Sequence, residues 1–348
     1  MAVAAVGGGG ATQNFVMQMA GNLHPFLFVG CWNRVGEPRD TVIKAMLATA
    51  EEKGIQNIVL GGDNVYPLPE DDKKLKEYKK FKKEKKEGEK WDKEIPVKHR
   101  VETFMEGIAP FAGKTVILAL GNHNVEDPPV LMAEMARLPF DKTYYAAEFE
   151  DAAVVVFDAN IKNSDGDLFD KMKDWLTSLL LNLKAKGKPY YFVTHEPFGS
   201  FKKGSRTIWG IDKERIEDAA IVAAGSTPVI LFTLQTHPPI AVLCADTHHY
   251  EVGTIHGGKH DIPQYIVGSG GADYNTYTEP RPPFGIGCVF TYSMTSEPVS
   301  KYGFLLLEDA ASTTFIPALN WAGGRRRNTR RRGSRAHKKL TRRAPRRL

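Results

Sequence analysis

The chain alternates short apolar runs with polar loops. Pro25-Phe26-Leu27-Phe28-Val29-Gly30 is an unbroken apolar run ending at a glycine, which predicts a buried strand. Thr41 to Lys53 sets Val42, Ile43, Met46 and Leu47 at helical spacing, with Gly54 as a stop. Ile55 to Leu60 predicts a second buried strand, followed by the loop Gly61-Gly62-Asp63-Asn64-Val65-Tyr66. This is a strand–helix–strand unit with its polar residues at the C-terminal strand ends, where open α/β sheets place their ligands.

The same rhythm continues downstream. A helix near Val101 to Gly107 precedes a strand at Thr115 to Leu120 and then Gly121-Asn122-His123-Asn124. A strand at Ala152 to Asp158, an amphipathic helix at Leu168 to Ala185 and a strand at Tyr190 to Thr194 lead to His195-Glu196-Pro197. Ile240 to Cys244 runs into Ala245-Asp246-Thr247-His248-His249-Tyr250. Tyr265-Ile266-Val267 leads into Gly268-Ser269-Gly270-Gly271, which reads as a structural turn or as a phosphate loop. Lys301 to Leu307 is the last predicted strand, and no internal repeat is evident.

Three stretches break this rhythm. Residues 1–23 are Gly- and Ala-rich and predict a flexible N-terminus. Residues 69–97 form a charged Lys/Glu-rich insertion within a domain spanning 24–321, read as a solvated helix or a disordered insertion, with a partner-binding lid as the alternative. Residues 322–348 form a tail with almost no apolar content, which cannot build a core and predicts disorder.

Charge changes the picture mainly in that tail. The whole chain carries +6, and Arg325 to Leu348 holds 13 Lys and Arg with no acid, so the rest stands at −7. The clusters Arg325, Arg326, Arg327 and Arg330, Arg331, Arg332 would bind nucleic-acid phosphates without sequence preference. They also suit a nuclear address. No apolar run reaches the roughly 18 residues of a membrane span, so no membrane association is expected. The N-terminus lacks a basic n-region, and Gly7 to Gly10 interrupt its apolar run, so no secretory signal is evident. Three cysteines, Cys31, Cys244 and Cys288, make no disulfide framework and fit a reducing compartment. The expectation is a soluble, intracellular protein, with nuclear or nucleic-acid association through the tail.

The candidate chemistry lies in five strand-end loops. In order they offer Cys31; Asp63 and Tyr66; Asn122 and His123; His195; and Asp246, His248 and His249. Oxygen and nitrogen donors of this kind suit divalent or trivalent metals. Two metals held together need a bridging carboxylate and can then clamp a phosphoryl group.

These blocks carry a resemblance. Gly62-Asp63-Asn64-Val65-Tyr66 is similar to the GD-x-x-Y block of purple acid phosphatases, and Gly121-Asn122-His123 to the GNH block of calcineurin-like phosphoesterases. Val193-Thr194-His195-Glu196-Pro197 resembles their V-x-x-H block. Ala245-Asp246-Thr247-His248 stands where the family has G-H-x-H, and Gly30-Cys31-Trp32-Asn33 where purple acid phosphatases have G-D-W-G. The resemblance spans about Pro25 to Trp321. It implies an α/β fold, a four-layer α/β/β/α sandwich of the metallo-dependent phosphatase type, and phosphoester hydrolysis by a hydroxide that two metals activate.

Carried over by position, Asp63 bridges the metals, Tyr66 and His248 bind the first, and Asn122 and His195 bind the second. Tyr66 implies iron at one site, with Fe, Zn, Mn or Mg at the other. His123 stays off the metals and serves the phosphate as the catalytic acid or charge stabiliser. His249 is a further substrate-binding candidate. Two positions depart from the family. Asp246 replaces a His, keeps a ligating role and favours a harder metal in the second site. Cys31 replaces the first Asp, and it is either a thiolate ligand or a small buried apolar residue that leaves the first site one ligand short. Asn33 and Asn124 also stand where the family often has a His or an acid, which points to a slower enzyme or to an inactive one working through its basic tail.

Overall fold

The computed structural model describes residues 15–66, 98–125, 142–159, 166–201, 227–273, 284–286 and 289–318, with single positions 77, 80, 81 and 84. Most of the charged insertion, the whole Arg-rich tail and Cys288 lie outside the described residues.

The strands in chain order are β1 (Val16–Gln18), β2 (Phe26–Val29), β3 (Asn57–Gly61), β4 (Thr115–Ala119), β5 (Tyr145–Glu148), β6 (Ala153–Val156) and β7 (Tyr190–Val193). They continue as β8 (Ala241–Cys244), β9 (Tyr250–His256), β10 (Ile262–Val267), β11 (Phe284–Ile286), β12 (Phe290–Met294), β13 (Gly303–Leu307) and β14 (Thr313–Pro317). The helices are α1 (Glu37–Glu52), α2 (Lys98–Ile108), α3 (Asn122–Val125), α4 (Gly166–Ala185) and α5 (Thr227–Leu234).

The strands form two sheets. One has five strands in the order β14-β13-β2-β3-β4, with β2, β3 and β4 parallel. The other has nine, in the order β1-β5-β6-β7-β8-β10-β9-β12-β11, with β6, β7, β8 and β10 parallel. Strands β2, β6, β7 and β8 are buried at every position and read as continuous apolar runs, as parallel strands covered on both faces do. In the nine-stranded sheet the side chains divide with period two. Val154, Val156, Tyr191, Val193, Ala241 and Leu243 enter the core shared with the five-stranded sheet. Their neighbours Ala153, Val155, Tyr190, Phe192, Val242 and Cys244 enter an outer core with α4 and α5. The helix α1 covers the five-stranded sheet through Val42, Ile43, Met46 and Ala50.

Cross-sheet contacts fix how the halves meet. Phe26 packs edge-on against Tyr191 with ring centroids 5.1 Å apart, a geometry worth about 0.5–1.5 kcal/mol beyond its buried area. The Tyr145 hydroxyl donates to Leu118 O at 3.0 Å and accepts from Leu118 N at 2.9 Å, joining β5 to β4. At the strand ends, Gly30 N donates to Val267 O at 2.9 Å and Gly270 N donates to Gly30 O at 3.2 Å. A Cβ on Gly270 would press on Trp32 and on Gly30 O, so glycine is required for this approach.

Several expectations change here. The flexible N-terminus does not extend to residue 23, because β1 pairs with β5 and Leu23 is fully buried. The helix predicted at Thr41 begins at Glu37, where Pro38 suits the first turn, which lacks intrahelical donors. Lys301 to Leu307 is not the last strand, since β14 pairs antiparallel with β13. Gly268-Ser269-Gly270-Gly271 is a stitching turn whose Ser269 hydroxyl donates to Gly303 O. Among the described residues no helix is long and apolar enough to cross a membrane.

Candidate metal centre

Three strand ends adopt the same unusual backbone. Cys31 follows β2, Asp63 follows β3 and Asp246 follows β8, and their φ values are 50°, 51° and 57°. These are the non-glycine residues with positive φ in the described chain. The left-handed region costs an L-residue about 1–2 kcal/mol, and such strain gathers at functional sites.

The side chains of these loops converge. Donor atoms of Cys31, Asp63 and His195 all lie within 4.8 Å of one another, and all three residues are buried. Asp63 is the centre. The Tyr66 hydroxyl donates to its Oδ2 at 2.9 Å, and Cys31 Sγ lies 3.9 Å from the same oxygen. Oδ1 accepts from the His123 backbone N–H at 3.1 Å and lies 3.3 Å from His195 Nε2. His195 Nε2 is also 3.8 Å from Asp246 Oδ1. His248 Nε2 is 3.3 Å from the Tyr66 hydroxyl.

The two histidines are held alike. His195 Nδ1 is 2.8 Å from Gly61 O, and His248 Nδ1 is 2.8 Å from Asp273 O. A carbonyl only accepts, so each Nδ1 carries the hydrogen and each Nε2 faces the cluster. Metal-ligating histidines are oriented in this way. His195 Nε2 is fully buried and has no hydrogen-bond partner among the described residues, although two carboxylates lie at ion-pair distance. The hydroxyls of Thr194 and Thr247, one residue before His195 and His248, are also buried without a partner among the described residues.

The electrostatics agree. Burial opposes ionisation of Asp63, but the charges of His195 and His123 and the His123 backbone hydrogen bond outweigh it and hold the carboxyl far below the usual range. Burial likewise opposes protonation of His195, yet Asp63 first and Asp246 second raise its pKa to about 9. Burial and then the Asp63 charge push Cys31 and Tyr66 well upward. His195 Nε2 and two carboxylates thus face one small volume, where positive charge is favoured, as a proton on Nε2 or as a metal ion in its place. Ligands around a metal with bonds of about 2.1 Å sit about 3.0–3.4 Å apart, close to several of these separations. The residues fit metal binding.

An asparagine network holds the loops together from behind. Asn124 Oδ1 accepts from Gly121 N at 2.6 Å and from Asn64 N at 3.4 Å. Trp32 Nε1 donates to Asn64 Oδ1, and Asn64 Nδ2 donates to Ala119 O. Asn33 Nδ2 donates to Asn64 O and Thr103 O. A Cβ on Gly121 would collide with Asp63, so glycine lets α3 approach it. Asn64 was not legible as a site residue. Its only signal is a polar residue inside a glycine-flanked strand end.

The sequence candidates thus divide. Cys31, Asp63, Tyr66, His195, Asp246 and His248 come together. His123 adjoins them through its backbone bond to Asp63 and its ring, 4.9 Å from Tyr66 by centroids. Asn122 is buried at the first position of α3. His249 does not fit the substrate-binding expectation. It is 1% exposed, and its Nε2 donates to Glu251 Oε2 at 2.8 Å just ahead of β9. The arginine clusters at 325–327 and 330–332 lie outside the described residues.

No family model matches the sequence, and no curated protein does. Solved structures do match. GAP50, the anchor in the inner membrane complex of Plasmodium, aligns with a TM-score of 0.53 at 13% identity, over 85% of each chain. A dimetal phosphatase from Danio rerio aligns at a TM-score of 0.48 and 9% identity, over 85% of this chain and 99% of that one. The chain therefore shares its two-sheet α/β fold with GAP50. Its strand-end Cys/Asp/His group could hold a metal ion.

Proposed function

We propose that this chain is a metal-dependent phosphoesterase whose two metal ions share Asp63. The observation that carries this is the division of labour within one carboxylate. Oδ2 faces Tyr66 and Cys31, with His248 beyond, and Oδ1 faces His195, with Asp246 beyond. A carboxylate with each oxygen turned to a separate donor set is what a bridging ligand requires.

Tyr66 and His248 would hold one ion, with iron favoured by the phenolate. His195, Asp246 and Asn122 would hold the other, with Fe, Zn, Mn or Mg suited to its oxygen and nitrogen donors. When bound, the ions supply charge neutralisation for a phosphoryl group and water activation near neutral pH. The chain's own residues do the rest. The Gly61 and Asp273 carbonyls keep both histidines in the ligating tautomer. His123, partly exposed beside Tyr66, donates to a phosphoryl or leaving-group oxygen. The substrate class is a phosphoester.

The test is hydrolysis of a generic aryl phosphate by protein loaded with Fe, Zn or Mn. Asp63→Ala is expected to lower kcat/KM by more than the 10–100-fold typical of an outer-shell change. Wild type no faster than Asp63→Ala under every loading would overturn the proposal.

A further inference from the structure

We infer that Cys31 is itself a metal ligand, so that the half-site it shares with Tyr66 and His248 takes a thiophilic metal such as zinc or iron. This rests on the two-metal reading of Asp63. It goes beyond that reading because the purple acid phosphatase block that the sequence resembles has an aspartate at this position, and a thiolate changes which ion the half-site selects.

Three observations carry it. The first is the direction of the sulfur. Sγ lies 3.9 Å from Asp63 Oδ2, and it packs with Tyr66, Ala245 and Ala272 in a small cluster separate from both large cores. The second is the backbone. Cys31 holds φ 50°, matching Asp63 and Asp246, and its frame is pinned by Cys31 N donating to Gly62 O and Ala272 N donating to Cys31 O. A residue that only filled space would gain nothing from that conformation. The third is the contrast with Cys244, which is equally buried. Cys244 lies in the outer apolar core, and its Sγ donates to Tyr265 O at 3.4 Å. It shows how this fold treats a cysteine used for packing.

The donor set then has a chemical consequence. Thiolate, phenolate, imidazole and carboxylate together suit zinc, iron or cobalt and reject magnesium and calcium, which take oxygen ligands. The His195 and Asp246 side keeps only oxygen and nitrogen donors. The pair of half-sites is therefore unequal in softness.

Cobalt is the probe. Wild-type protein loaded with Co(II) is expected to bind about two ions per chain and to show a near-ultraviolet thiolate-to-cobalt charge-transfer absorption. Cys31→Ala should lose that band and lower affinity at one half-site by at least about 100-fold, beyond an outer-shell effect. Cys244→Ala and Cys288→Ala should retain it. Cys31→Asp should restore two ions without the band. Thermal unfolding of each variant shows that it is folded. X-ray absorption on zinc-loaded wild type needs no variant and should show sulfur at about 2.3 Å. Cobalt bound without the band, or zinc without sulfur, overturns Cys31 ligation and leaves the two-metal proposal standing. Wild type that binds no metal overturns both.

Discussion

Two buried histidine–carboxylate clusters lie in this fold, and they are built to opposite rules. Around Glu251, which is fully buried, every polar contact closes within the protein. His249 Nε2 donates to Oε2 at 2.8 Å, the Tyr292 hydroxyl donates to Oε1 at 2.9 Å, and Ser200 Oγ and Phe201 N donate as well. Around Asp63 the chain supplies too many acceptors. His195 Nε2 faces two carboxylates and has no hydrogen-bond partner among the described residues. The first cluster holds the 198–201 loop, with Gln264 accepting from Phe198 N and donating to Gly199 O. The second leaves Nε2 and the carboxylates facing one another, an arrangement that could hold a cation. A buried histidine beside an acid is therefore no indicator of function. The deciding question is whether its partners complete it.

The largest expected effect falls on the closed cluster. Glu251→Ala leaves His249 and Tyr292 buried without their acceptor and should cost about 3–5 kcal/mol in urea unfolding, the range for breaking a buried pair. Metal stoichiometry measured on folded variant should not change. A variant that unfolds like wild type but loses metal would reverse the two roles.

Next comes the open cluster. Saturating zinc or manganese at about 100 Kd should stabilise wild type by about 2.7 kcal/mol. That is about 4 °C in melting temperature for a domain of this size. Asp63→Ala should abolish the shift and Glu251→Gln should keep it. Equal shifts in all three proteins would mean that the metal binds elsewhere.

The smallest effect concerns a third pair, partly exposed, which sharpens the contrast. Asp151 accepts from Leu23 N at 2.6 Å, from His24 N at 3.2 Å and from the His24 ring at 2.6 Å. Burial opposes its ionisation, but these bonds outweigh burial and lower its pKa. A lowered carboxylate contributes stability above its unfolded pKa of about 3.9 and loses it as pH falls through the folded value. Asp151→Asn should therefore melt below wild type at neutral pH, and the gap should close in acid. A gap that is constant with pH would assign the effect to packing.

Much of the fold was legible because β2, β6, β7 and β8 are buried on both faces and read as apolar runs. β9 escaped for a physical reason. Its inward positions are Glu251, Gly253 and Ile255, so a charge and a glycine occupy two places where apolar residues would mark the period. Gly253 is needed there because a Cβ would enter the Tyr292 ring. The helix α5 is missing from the predicted elements because Val229-Ile230-Leu231-Phe232 is apolar at every position and shows no helical period, and it packs against the outer sheet face. At the site, Cys31, Asp63, Tyr66, His195, Asp246 and His248 were legible as strand-end polar residues in order. His249 misled because a loop-end histidine does not announce that its partner stands two residues on. The asparagine network was hidden because it works through backbone groups, which sequence patterns do not show.

The donors of the centre come from both halves of the molecule. Cys31, Asp63 and Tyr66 follow strands of the five-stranded sheet, and His195, Asp246 and His248 follow strands of the nine-stranded one. Neither half owns a complete coordination set. A chain with only one sheet formed would offer no more than a fragment of the site, and a slip between the sheets would separate its members like a misaligned vernier. If the centre holds metal as proposed, it would double as a gauge of assembly, since tight capture would require that the two layers had met in the right register.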